Sequence, residues 1–599
     1  MASSLFVGLH DPHSYAKPEE ARVTHLDLNL RLDFEKKVIQ GRATLLFETS
    51  SRADYLTLDT RQLFIHSVRS GDDALPLPFS LSSPDDVLGQ ALQIRLRPGI
   101  QKVVIEYETA PDAPALQWLS AEQTAGGREP FLYTQSQAIL CRSWIPLQDS
   151  PGIRFTYTAR VATKPGHLAL MSAQNPQKLK SDGVYEFRMD HPVPAYLMAL
   201  ASGRLDFGVL DHNVGVYAEP EILPRALKDF EDTPRMLRAA EKLYGPYPWG
   251  RYDILVMPPS FPFGGMENPC LTFATPTILT GDKSLTSLVA HELAHSWSGN
   301  LATNATWNDF WLNEGFTVYL ERRIMEELYG SSYRDMLEVL GYEDLIQTIE
   351  ALKEEGREED TRLRLHLDNR DPDEGMNDIA YEKGYLFLRS VERLIGTQAM
   401  DKMLQEWFRR HAFKSVTTAS WMEFLKEQLS LEQWVAVQPD KWILEPFLPL
   451  HAAPQSRAFQ EVEEAVFQCL NDIDKFRPVW EKWNSHQRQH FLRKLSEQKP
   501  TPKDLAALDA SLELNESTNS EELFIWFMMA LKAGYMDILP RLDAFLSSVG
   551  RRKFVLPLVR QLACMPALRD WARKRFLERW KLRYHYVTAS SCESAFSKD

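Results

Sequence analysis

The sequence predicts a multidomain α+β protein: an N-terminal antiparallel β domain, a mainly helical middle and a C-terminal all-α domain. Three observations carry this. Apolar and polar residues alternate before about residue 205, helical spacing takes over from about 225, and prolines cluster near 450.

The β domain is assigned to 1–205. Leu26, Leu28, Leu30, Leu32 and Phe34 alternate with His25, Asp27, Asn29, Arg31 and Asp33, the period of a half-buried strand. After a turn at Glu35 to Lys37 the alternation resumes at Ala43, Leu45 and Phe47. It returns at Leu92, Ile94 and Leu96 and in the run Val103-Val104-Ile105. The middle domain is 206–445, with a Pro/Gly-rich loop, MPPSFPFGGMENP, at 257–269. Pro446, Pro449 and Pro454 cannot propagate a helix, so 446–456 reads as a stiff linker. In 457–599 Phe459, Val462, Val466 and Leu470 fall on one helix face, and several such segments follow. They suggest antiparallel stacked helix pairs of the armadillo kind, although no clean sequence period appears.

Composition narrows the function. Asp plus Glu number 82 against 68 Lys plus Arg, a net charge of −14, which argues against nucleic acid as the main partner. One stretch runs the other way: Arg569, Arg573, Lys574, Arg575, Arg579, Lys581 and Arg583, interleaved with Trp571, Phe576 and Trp580. Its aromatics keep helical spacing, so it reads as an amphipathic terminal helix with a solvated basic face. The five cysteines (Cys141, Cys270, Cys469, Cys564, Cys592) form no CxxC pair and read as free thiols of a reducing compartment. The first basic residue is Lys17, and the apolar-leaning stretch Leu5 to Leu9 is too short for a signal peptide. No run approaches the ~18 apolar residues of a membrane span. The expectation is a cytoplasmic protein with no stable membrane insertion.

The chemistry centres on His291-Glu292-Leu293-Ala294-His295. Leu285, Leu288, Val289 and Leu293 make an apolar helical stripe around it, with Asp282 as the expected N-cap. Positions i and i+4 share a helix face, so both imidazoles can bind one Zn²⁺, with Glu292 beside them as a general base. With 15 histidines in the chain, chance supplies such a pattern on the order of 0.03 times. A second helix follows, with Asn308 or Asp309 as N-cap and Gly330 as a stop. Glu314, nineteen positions after His295, can return to the metal as a third ligand and leave a fourth position open. Glu321, two turns further, is either support for a ligand histidine or an ordinary surface ion pair.

HExxH with this glutamate, preceded by Gly264-Gly265-Met266-Glu267-Asn268, resembles the M1 family of zinc aminopeptidases. The text from FPFGGMENPCLTFATP to WNDFWLNEGFTVYLER is similar to that family's leukotriene A4 hydrolase branch, and the resemblance spans nearly the whole chain. It implies a saddle-like β domain, a thermolysin-like catalytic domain and an armadillo-like helical domain. It also implies one Zn²⁺ per chain on His291, His295 and Glu314, general base Glu292, and an oxyanion-stabilising Tyr381 in the YEKG segment. Glu267 would bind the substrate amine, and Gly264, Gly265 and Met266 the peptide backbone. Gln137 and Asp373 would line the first side-chain pocket, with Gln135 nearby, and a carboxylate there favours Arg. Arg551 and Lys553 would hold the substrate carboxylate, which favours tripeptides. The implied activity is removal of N-terminal residues from short peptides by a monomer. The alternatives are a bifunctional enzyme that also hydrolyses a fatty-acid epoxide through the same zinc and Asp373, and, more remotely, an inactive peptide-binding scaffold. Two positions depart from the branch, which has tyrosine where this chain has Met376 and Phe263. Met376 removes a hydroxyl from the lipid-reacting region, and Phe263 bears on the first side-chain pocket.

Overall fold

The computed structural model describes residues 10–51, 53–449, 452–469 and 473–597. The stretch Leu5 to Leu9, linker residues 450 and 451, and Leu470 lie outside them. Strand Ala21–Asp33 has Leu26, Leu28 and Leu30 almost fully buried, as the alternation requires. It sits inside a six-stranded sheet, antiparallel to Val38–Thr49 and parallel to Arg154–Ala162. A four-stranded sheet stands beside it, and its strand Phe131–Thr134 leads directly into Gln135 and Gln137.

The middle domain opens with a mixed five-stranded sheet: Asp206–Asp211, Val214–Ala218, Tyr252–Val256, Leu271–Ala274 and, at one edge, Gly265–Met266. This corrects the reading of a mainly helical stretch. Tyr252–Val256 pairs in parallel on both sides and is buried throughout, so it shows no alternation to read. Helices Ser287–Ala294, Trp311–Tyr329, Ser331–Glu354 and Gly384–Ile395 follow. Asp282 does not cap the first: the helix starts five residues later, and Asp282 accepts the Thr280 hydroxyl and the Ser284 N–H in the preceding turn. Asn308 and Asp309 lie in a 3-10 turn before Trp311, and Asp309 instead caps Thr418. Gly330 does end the second helix, at φ 86°.

Past the prolines the regular elements among the described residues are all helical, to Ser597. Arg457–Cys469, Ser485–Glu497, Ser520–Ala533, Arg552–Cys564 and Tyr586–Ser597 pack successively on one another, a stacked array. The basic stretch is less regular than the single helix expected: helix Pro566–Arg575 passes into a π turn, Phe576–Trp580, then a 3-10 turn. Asp543 draws in Arg575 and Arg579, and Trp580 donates its indole N–H to the same carboxylate. One apolar core runs through the first two domains; the helical domain has its own. No helix among the described residues is long and apolar enough to cross a membrane.

Candidate active site

His291 lies in the last turn of helix Ser287–Ala294, and His295 caps it. Glu314 is in the first turn of Trp311–Tyr329, which packs on that helix. His291 Nε2 and His295 Nε2 stand 3.2 Å apart, and Glu314 Oε2 lies 3.3 and 3.5 Å from them. Ligands ~2.05 Å from a tetrahedral zinc stand about 3.3 Å from one another. Glu314 Oε2 is buried without a hydrogen-bond donor, as a metal ligand would be. The donor set therefore fits zinc.

Both imidazoles are oriented from behind. His291 Nδ1 is 3.0 Å from Glu321 Oε2, which settles the open reading of Glu321 in favour of support for the histidine. His295 Nδ1 is 3.1 Å from the Ser298 carbonyl oxygen and 3.1 Å from Thr317 Oγ1. Thr317 had no signal beyond its place one turn after Glu314.

Glu292 points from the same helix toward the edge strand. A Cβ on Gly265 would lie 2.2 Å from Glu292 Oε1, so a side chain here would push the base from its place. Burial pushes the Glu292 carboxyl up to about 8, with His291 and His295 opposing. A cation on the three ligand atoms would draw it back toward the range of a general base. Glu267 is buried, its Oε1 has no donor, and burial raises its pKa too. An ammonium group would satisfy it. Met266 pairs with Phe273 on one side only, leaving the outer strand edge without a sheet partner.

Tyr381 sits in a π turn, Ile379–Lys383, with its ring stacked 6.1 Å from His291 and its hydroxyl beside the Glu314 carboxylate. Two glycines set that placement. A Cβ on Gly315 would fall 2.7 Å from Gly384 Cα, so the segment carrying Tyr381 lies directly on the helix carrying Glu314.

The remaining residues come from three domains. Gln135 Nε2 donates to Met266 Sδ at 3.3 Å. Gln137 is partly buried, with an unpaired Nε2, and the N–H of the next residue, Ala138, lies near the Asp373 carboxyl. Burial and neighbouring Asp371 push Asp373 up to about 7, against Arg552 and Arg61. Arg551 reaches the same edge strand from the helical domain, its guanidinium 2.9 Å from where a Gly264 Cβ would be. Backbone bonds of 2.8 Å from Gly550 to Pro259 and from Arg552 to Pro262 bracket it. Lys553 Nζ donates to both Glu521 oxygens at 2.9 Å, and Arg551 lies 3.6 Å from Glu521. Nothing in the sequence pointed to Glu521. Met376 is partly buried against the catalytic core, and the Phe263 ring stands 6.1 Å from Phe261.

Comparison with known proteins matches this layout. The Peptidase family M1 domain model covers residues 229–442, the Peptidase M1 N-terminal domain 22–197, and the Leukotriene A4 hydrolase C-terminal domain 483–596. Leukotriene A-4 hydrolase of Xenopus laevis is 37% identical over 590 residues, 95% of this chain and 96% of that one. Aminopeptidase B of Mus musculus is 34% identical, over 90% of this chain and 88% of the other. The structure of yeast LTA4 hydrolase in complex with bestatin superposes at a TM-score of 0.89 with 32% identity, covering 99% of this chain and 98% of that one. With three successive family domains and a relative aligned end to end, this chain belongs to peptidase family M1, in the branch that holds the leukotriene A4 hydrolases and their aminopeptidase relatives.

Proposed function

We propose that the protein is a one-zinc aminopeptidase that removes N-terminal residues, arginine preferred, from short peptides. One observation carries the reading: three ligand atoms converge at 3.2–3.5 Å beside a buried base, Glu292, and an unpaired buried carboxylate, Glu267. His291, His295 and Glu314 would hold the zinc, which supplies Lewis acidity to a carbonyl oxygen and a water. Glu267 binds the free ammonium, which limits cleavage to the first residue. The open edge of Gly264 to Met266 takes the substrate backbone as an added strand. Glu292 accepts a proton from the attacking water and delivers it to the leaving amine. The Tyr381 hydroxyl donates to the developing oxyanion. Asp373, Gln137 and Gln135 line the first side-chain pocket, and Arg551 and Lys553 hold the C-terminal carboxylate. We place the domain breaks near 205 and 450 and take the working unit to be a cytoplasmic monomer.

A second reading, added hydrolysis of a fatty-acid epoxide, is favoured by Asp373 and by the named relative; Met376 stands against the usual product geometry. A panel of aminoacyl amides and tripeptides, with bound zinc measured and leukotriene A4 as a separate substrate, decides. Arginyl substrates should lead. Stoichiometric zinc with no turnover would leave only the scaffold reading, and a dihydroxy product would establish the second activity.

A further inference from the structure

Residues 10–17 cross from the β domain to the catalytic domain ahead of the span matched by the N-terminal family domain. In this segment His13 is 1% exposed. Its Nε2 lies 3.0 Å from the Leu367 carbonyl oxygen and 3.2 Å from that of Arg370, in the loop that delivers Asp371-Pro372-Asp373. Both partners are acceptors, so Nε2 carries the proton and bridges the two.

The segment is anchored behind His13 by a buried charge network. Arg142 donates to the His13 carbonyl at 2.7 Å and to Asp149 at 3.0 Å, while Ser14 and Tyr15 bond Asp59. Asp11 accepts the His13 N–H at 2.9 Å and the Ser150 hydroxyl at 2.5 Å. Arg142 and Asp59 are wholly inaccessible. The donor facing the loop is therefore fixed to the β domain, whose Ala138 N–H also lies near Asp373 itself. Asn308 holds the loop from the catalytic side, accepting the Leu367 N–H at 2.8 Å.

We propose that His13 is a positioning residue for side-chain specificity: its bridge to Leu367 and Arg370 sets the height of Asp373 in the first side-chain pocket. This rests on the reading of Asp373 as the group that meets a basic side chain. A shift of the loop would move the carboxylate from the guanidinium without touching the metal ligands, Glu292 or Glu267.

The test compares His13→Ala, His13→Gln and Asp373→Asn on arginyl and alanyl amides. For His13→Ala we expect KM for the arginyl amide to rise about tenfold, kcat to hold, and the alanyl amide to change less than twofold. His13→Gln keeps a donor and should recover part of the loss. In the double variant His13→Ala should add nothing to Asp373→Asn. Equal loss on both substrates, or no loss in a folded His13→Ala protein, overturns the proposal while leaving Asp373 in place. An unchanged arginyl preference in Asp373→Asn overturns the pocket reading, and this proposal with it.

Discussion

The two ends of the candidate site are built differently. The hydrolytic end is assembled from two packed helices, an adjacent strand edge and one π turn of a single domain, over a core shared with the β domain. The recognition end we propose takes Gln137 from the first domain, Asp373 from the second, and Arg551 and Lys553 from a third with a separate core. Groups at the first end are fixed by local spacing and close backbone contact; those proposed to choose a substrate depend on domain docking. Damage at the first end should remove turnover, and damage at the second should change which substrate is turned over.

The largest effect belongs to the first end. Glu292→Gln keeps the shape and the ligands but removes the base. kcat should fall by about 10³-fold or more, with zinc content unchanged and KM within a few-fold. Rate measurement alongside metal analysis checks both halves. Loss of zinc together with activity would mean that Glu292 supports the metal, and the contrast between the ends would weaken.

The same contrast explains what could be read without coordinates. HExxH, Glu314 and GGMEN are short-range patterns whose spacing states their geometry, and the alternation of Leu26 to Leu32 states the strand. Partners chosen by docking leave no such trace. Glu521 meets Lys553 and Arg551 only because two helices of one array stack, and Gly315 meets Gly384 across 69 positions. Tyr252–Val256 was misread as part of a helical stretch because burial on both faces erases its period. Asp282 failed as a cap because its carboxylate is used by Thr280 and Ser284 first.

The next effect breaks the recognition end at the docked domain. Arg551 is 12% exposed and lies against the edge strand; Lys553 is 45% exposed. Arg551→Ala should raise KM for tripeptides by about 30-fold, near 2 kcal/mol for a desolvated charge-assisted bond. Lys553→Ala should cost about threefold, as expected of an exposed charge. Aminoacyl amides lack the carboxylate, and their KM should not move with either change. A parallel rise for amides would show that Arg551 holds the Gly264 strand rather than the substrate.

The smallest effect is a pH dependence at the other side of that pocket. Burial and Asp371 raise Asp373 to about 7, so in the free enzyme its carboxylate is largely protonated at pH 6 and ionised at pH 8. A substrate guanidinium stays charged across this range. Attraction between them therefore grows as pH rises, whereas a site whose acid is ionised throughout would show no such change. Stability moves the other way. A carboxyl whose folded pKa lies above its unfolded value contributes stability at low pH that fades as pH rises from about 4 to about 7. The ratio of kcat/KM for arginyl over leucyl amides should climb several-fold from pH 6 to 8, because kcat/KM reports the free enzyme and dividing by the leucyl value cancels the shared titration of Glu292. Asp373→Asn should flatten the ratio while leaving the common pH profile in place. A ratio that stays level in the unaltered protein would mean that Asp373 is already ionised at pH 6, held so by Arg552 and Arg61. The specificity of the docked end would then be independent of pH, as a surface carboxylate's would be.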